Sequence, residues 1–133
     1  MPRHTAPASP PRPTEGELAI LRVLWRRGPS TVREVQAELN REQPTGYTTV
    51  LKLLQIMTAK GLVRRAQAGR QHIYQTTRSE EETQRQVVEH VLERVFGGAA
   101  HKLVLQALAS RKATPSELTE IRRLLNDIEK GTP

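Results

Sequence analysis

The chain predicts a mainly α-helical protein in two parts: three helices closed by a β-hairpin, then three more helices. Three observations lead there. Apolar residues recur at helical spacing in six stretches, each bounded by a cap, a glycine or a proline. Between the third and fourth stretches, two short strand-like runs flank Ala66-Gln67-Ala68-Gly69, which can turn. Charge is split the same way: residues 1–78 hold 13 Lys/Arg and 5 Asp/Glu, residues 79–133 hold 8 and 9.

Each element has its own justification. Thr14 and Glu17 have capping-box spacing, and a helix follows to about Arg27. Leu18, Ile20, Leu21, Leu24 and Trp25 fall on its apolar side, and Gly28-Pro29 ends it. Thr31 and Glu34 repeat the spacing and open a short helix to about Asn40, with Val32, Val35 and Leu39 inward. Residues 41–46 form a loop. A third helix starts near Tyr47, with Val50, Leu53, Leu54 and Met57 spaced i, i+3, i+4, i+7 as its buried stripe. Gly61 stands where a left-handed residue ends a helix. Leu62 to Arg65 and Gln71 to Gln75 are the strands, with the turn between them at 66–69. Three helices and a hairpin make the winged helix-turn-helix plan.

The second part opens at Ser79, again at capping-box spacing from Glu82. Val87, Val88, Val91, Leu92, Val95 and Phe96 form a wide apolar face, and Gly97-Gly98 breaks the helix. Leu103, Val104, Leu105, Ala107 and Leu108 mark a short helix. Thr114-Pro115-Ser116-Glu117 caps a last one, with proline at its first position. Leu118, Ile121, Leu124, Leu125 and Ile128 are its stripe. So small a unit cannot cover this much apolar surface alone. Association with a second copy through Val88, Val91, Leu92, Val95, Leu103, Val104, Leu108, Leu118, Ile121, Leu125 and Ile128 would cover it; packing onto the first part is the alternative. The expected boundaries are an arm over 1–13, a winged-helix domain over 14–78 and a dimerisation domain over 79–133.

Composition excludes several function classes. There is no cysteine, so disulfides, thiolate metal sites and cysteine nucleophiles are out. No apolar run approaches the ~18 residues of a membrane span. Residues 1–14 carry five of the nine prolines and no apolar leader core, so they read as a disordered basic arm on a cytoplasmic protein. The four histidines (His4, His72, His90, His101) lack metal spacing, and no cofactor is expected. No nucleophile elbow, phosphate loop or paired-carboxylate pattern appears, which argues against an enzyme. Four aromatics are too few for a single-strand stacking platform.

What remains is a polyanion partner. Between positions 41 and 78 stand Arg41, Lys52, Lys60, Arg64, Arg65, Arg70 and Arg78, against Glu42 alone. A helix that shows hydroxyls and a lysine, followed by a basic hairpin, suits a DNA major groove and its flanking phosphates. Thr48, Thr49, Lys52 and Gln55 lie on the wet side of the third helix. Arg64, Arg65, Arg70 and His72 belong to the hairpin. Tyr47 can bond a phosphate or pack inward. Ser30 and Thr31 open a helix, and either capping or phosphate contact accounts for them.

The runs LAILRVLWRRGPSTVREVQAEL, YTTVLKLLQIMTAKGLVRR and GRQHIY together resemble the penicillinase-repressor family of bacterial regulators. Trp25, Thr48-Thr49-Val50, Lys60-Gly61-Leu62 and Gly69-Arg70 with Tyr74 carry the resemblance, as do FGGAAHKLVLQAL and ELTEIRRLLNDIE in the second part. It covers about residues 14–129. It implies a homodimeric repressor on a palindromic DNA operator, with the helix from Tyr47 to Gln55 in the major groove. It also implies a membrane sensor protease as partner, which in the best-known members triggers cleavage of an Asn-Phe bond after Leu-Val-Leu. Here Leu103-Val104-Leu105 is followed by Gln106-Ala107, so the bond differs. The copper-responsive branch needs cysteines that are absent here. The competing readings are a winged-helix regulator gated by a small molecule and a winged-helix protein-interaction module.

Overall fold

The computed structural model describes residues 12–131. Most of the expected arm therefore lies outside the described residues. The elements run α1 (Glu15–Arg27), α2 (Val32–Asn40), α3 (Tyr47–Lys60), β1 (Val63–Ala68), β2 (Gln71–Thr76), α4 (Glu80–Arg94), α5 (Ala100–Ser110) and α6 (Pro115–Glu129). The chain divides into two compact units, one ending at Val88 and the other starting at Glu89, so the division falls inside α4. Residue 79, the expected first residue of the second part, caps α4. Among the described residues, no helix is long and apolar enough to cross a membrane.

The helix starts are built from side chains only three residues apart. Thr14 and Glu17 exchange both capping-box bonds, at 2.9 and 3.3 Å. Thr31 with Glu34, Ser79 with Glu82, and Thr114 with Glu117 do the same. Each box satisfies two backbone N–H groups that a helix start leaves orphaned. Gly61, at φ 82°, ends α3 in the left-handed region that a side chain would disfavour.

The first unit has one apolar core. Ile20, Leu21, Val23 and Leu24 of α1 meet Val32 and Val35 of α2, then Val50, Leu54 and Met57 of α3. Leu62, Val63 and Tyr74 close it from the hairpin. Val23 is buried although it lay off the expected stripe, whereas Leu18, Trp25 and Leu53 are only half-buried. α1 is covered on two sides, by helices and hairpin, so its buried arc is wider than one stripe.

The hairpin differs from expectation at its turn. Val63↔Thr76 through Ala68↔Gln71 are paired antiparallel, which leaves Gly69 and Arg70 as a two-residue loop. Ala66, Gln67 and Ala68 therefore belong to the strand, not to the turn. Gly69 has φ 64° at the first loop position, the place a type II′ turn reserves for glycine. A third chain segment joins the ribbon. The Ser30 N–H donates to the Tyr74 carbonyl at 3.0 Å, and the Tyr74 N–H donates back at 2.8 Å.

A buried ion pair ties the ends of α1 and α3. Lys60 Nζ lies 3.0 and 2.9 Å from the two carboxylate oxygens of Glu17. Glu17 is 2 % exposed and the Lys60 side chain 28 %.

The second unit is the opposite of the first. Neither α5 nor α6 buries a single residue. Val95, Val104, Leu105, Leu108, Leu124, Leu125 and Ile128 are all exposed. Leu103, Leu118 and Ile121 are half-buried, as are Val91 and Leu92 of α4. An apolar groove of about 610 Å³ runs along α5 and α6, lined by Ala107, Leu108, Ala113, Ile121 and Leu124 among others. A monomeric soluble protein rarely leaves so continuous an apolar surface in water.

Candidate nucleic-acid interface

α3 presents two faces because its apolar positions recur at helical spacing. Val50, Leu54 and Met57 hold it to the core with no measurable exposure. Thr48, Thr49, Lys52 and Gln55 are all exposed on the other side. No side chain caps its N-terminus, where Gly46 stands.

Beside that start, α2, α3 and the hairpin form a cleft of about 220 Å³. Thr31, Tyr47, Arg70 and His72 line it together, with Arg33. Four expected residues from three elements thus share one surface. Arg33 was missed by sequence reasoning. Its guanidinium lies over the Tyr47 ring, 5.3 Å from the centroid, which fits a cation–π contact and leaves Tyr47 41 % exposed. A signal was there: a cation in a helix's first turn opposes the macrodipole, so it calls for another reason to be present.

The geometry sorts the remaining expected residues. Ser30 is fully buried and its hydroxyl donates to the Gly28 carbonyl at 2.8 Å. It cannot touch DNA; its place is to align the α1–α2 turn with Tyr74. Thr31 is half-buried and its hydroxyl caps α2. Arg64 and Arg65 are both exposed, but neighbours in a strand face opposite ways. Arg65 shares its ribbon face with Gln67, His72 and Tyr74, whereas Arg64 lies with Ala66, Ile73 and Gln75. One surface can receive only one of the two from the ribbon plane. Lys60, counted with the basic stretch, is engaged by Glu17.

The electrostatics separate structural charges from unpartnered ones. Arg26, Arg27, Arg41 and Lys60 form ion pairs with Glu38, Glu34, Glu38 and Glu17. Among the described residues, Arg33, Lys52, Arg64, Arg65 and Arg70 form none. The backbone N–H of Thr31, opposed by a little desolvation and aided by Arg27 at 2.9 Å, holds the Glu34 carboxyl below the usual carboxylate range. Both Thr31 and Glu34 thus serve the cap of α2. Thr31→Ala should lower stability by about 1 kcal/mol, measured by urea denaturation; an unchanged midpoint would remove the cap as its role. Among the described residues, no group of three His, Asp or Glu side chains is placed to hold a metal ion.

Gln106 and Ala107 lie inside α5, where the Gln106 carbonyl accepts the Ser110 hydroxyl at 2.6 Å. That peptide bond is helical, and proteases favour exposed loop tips. Cleavage there would require α5 to unwind.

Three helices and a hairpin, with the unpaired Lys52 and two threonines on the open face of the third helix, define a winged helix-turn-helix protein. The chain belongs to the penicillinase-repressor family, whose profile matches residues 13–127; this is a family of repressors, not of enzymes. It is 21 % identical to the penicillinase repressor of Staphylococcus aureus, over 86 % of this chain and 90 % of that one. It is 28 % identical to the transcriptional regulator BlaI of Mycobacterium tuberculosis, over 86 % of this chain and 83 % of that one. The solution structure of the DNA-binding domain of the repressor BlaI superposes with a TM-score of 0.50 at 23 % identity, covering 56 % of this chain and 90 % of that domain. It shares the fold of the first unit.

Proposed function

We propose that this protein is a transcriptional repressor that binds a palindromic DNA operator as a homodimer. The face of α3 bearing Thr48, Thr49, Lys52 and Gln55 enters the major groove. Arg70 and His72, with Arg33 across the cleft, hold backbone phosphate. The observation that carries this reading is the unpaired cationic and hydroxyl-bearing surface spanning α2, α3 and the hairpin. Membership of a family whose relatives are named repressors supports it. The uncovered apolar side chains of α5 and α6 supply the self-association. Blocking polymerase by occupancy is the mode of repression, and loss of the dimer is the route of release.

The test is binding that follows sequence rather than charge. An operator duplex should be bound at least ~10³-fold tighter than a scrambled duplex near physiological salt. Equal affinity for both would leave a generic polyanion or acidic-protein binder.

Two substitutions separate reading from holding. Lys52→Ala, if the ammonium reaches a base edge, should cost about 1–3 kcal/mol and relax preference at one operator position. Competition against single-base operator variants measures it. Arg70→Ala should weaken all sequences alike and reduce the salt slope of log K by about 1. Titrations across a range of salt give that slope; if it is unchanged, the hairpin tip is off the DNA.

A further inference from the structure

A second cavity, of about 270 Å³, lies within the first unit between α1 and the first half of α4, away from the α3 face. Its walls are apolar: Leu18 and Trp25 on one side, Val87 on the other. Four polar residues, Gln84 among them, break that lining. Thr83 is only 6 % exposed. The hydroxyls of Thr58, Ser110 and Thr119 each donate to the carbonyl four residues back, but the Thr83 hydroxyl finds no partner among the described residues. A buried hydroxyl without a partner costs on the order of 1–3 kcal/mol, so a ligand atom that bonded it would be favoured. Arg22 and Glu80 also line the cavity, and neither forms an ion pair among the described residues.

We infer that this cavity binds a small zwitterion with an apolar body, of the class of the hydrophobic α-amino acids. The volume is below the usual range for drug-sized ligands and cannot take a helix. A purely anionic ligand would face Glu80, and a purely cationic one would face Arg22. A molecule with both charges satisfies each, while its apolar body fills the space beside Trp25 and Val87. The Thr83 hydroxyl then gains the hydrogen bond it lacks. The site is independent of DNA binding and would stand if the operator reading fell.

Trp25 is the only tryptophan in the chain, so its fluorescence reports this cavity directly. Titration of the intact protein with phenylalanine should give a saturable change, half-complete on the order of 1 mM for about a dozen heavy atoms. Arg22→Gln and Glu80→Gln, both at exposed positions, should each raise the half-point about tenfold, the loss of one charge-assisted bond. N-acetylphenylalanine and phenylalaninamide, each lacking one charge, should weaken alike. Thr83→Val keeps the shape and should bind more weakly while remaining folded by circular dichroism. A linear, unsaturable response up to the solubility limit overturns the proposal. So does a response that the two surface variants leave unmoved, since these hold whether or not the Thr83 variant folds. Equal binding of all three probes would overturn the zwitterion and leave a merely apolar cleft.

Discussion

Lys60→Met should destabilise the first unit by about 3–5 kcal/mol, the cost of leaving a buried carboxylate without its partner. Glu17 is nearly inaccessible to water, so removing the ammonium 2.9 Å away leaves its charge without a partner. Burial pushes the Glu17 carboxyl up, but the Thr14 N–H and Lys60 together outweigh it, and the net position is below the usual carboxylate range. A depressed folded pKa contributes stability above the unfolded value, near ~4.3, and that contribution is lost as pH falls through the folded value. The penalty of Lys60→Met should therefore be largest near neutrality and shrink as acid protonates Glu17. Denaturant melts of both proteins at several pH values measure it. A penalty that is the same from neutral to acid would mean the lysine acts by packing alone. Adding Glu17→Gln to Lys60→Met should recover part of the loss, because the stranded charge is gone.

Leu125→Glu should cost the intact operator about 10²- to 10⁴-fold in affinity and leave a single half-site unaffected. Leu125 is 53 % exposed in the chain, so a charge there meets water and need not disturb the fold of one copy. In a dimer the same position would be covered, and an unpaired carboxylate would be buried. Two linked half-sites gain from making the second engagement intramolecular, and that gain vanishes when the copies part. Sedimentation of the variant should show single chains at micromolar concentration, where the parent shows pairs. A variant that stays paired, or one that separates yet still holds the operator like the parent, would count against α6 as the clasp.

The legible features share a short range in sequence. Every capping box joins residues three apart, and Gly61 and Pro115 act within their own turn. The apolar spacing of Val50, Leu54 and Met57 needs no neighbour to be recognised. The hairpin was legible as a hairpin but not in register: Ala66, Gln67 and Ala68 carry no local signal that separates strand from turn. Pairing was decided by Tyr74, whose ring has to reach the core, and by Gly69, which alone accepts positive φ. Once Ala68↔Gln71 is known, the opposite facing of Arg64 and Arg65 follows from strand geometry.

The candidate interface divides the same way. That Thr48, Thr49, Lys52 and Gln55 lie on one wet face comes from the helical period. That Thr31, Arg33, Tyr47, Arg70 and His72 share a cleft does not, since they belong to three elements whose contact depends on packing.

By itself, then, the order of residues determined which segments are helices, where the capped ones begin, and that the cations gather in the first half. Only the tertiary structure decided which of those charges are unpartnered. Lys60 is 43 residues from Glu17 along the chain, and Ser30 is just as remote from the Tyr74 backbone it bonds. Helical order is set by interactions across one turn, which a sequence displays. A buried ion pair or a bridging strand is set by the joint burial of distant apolar faces, which appears only once those faces have met.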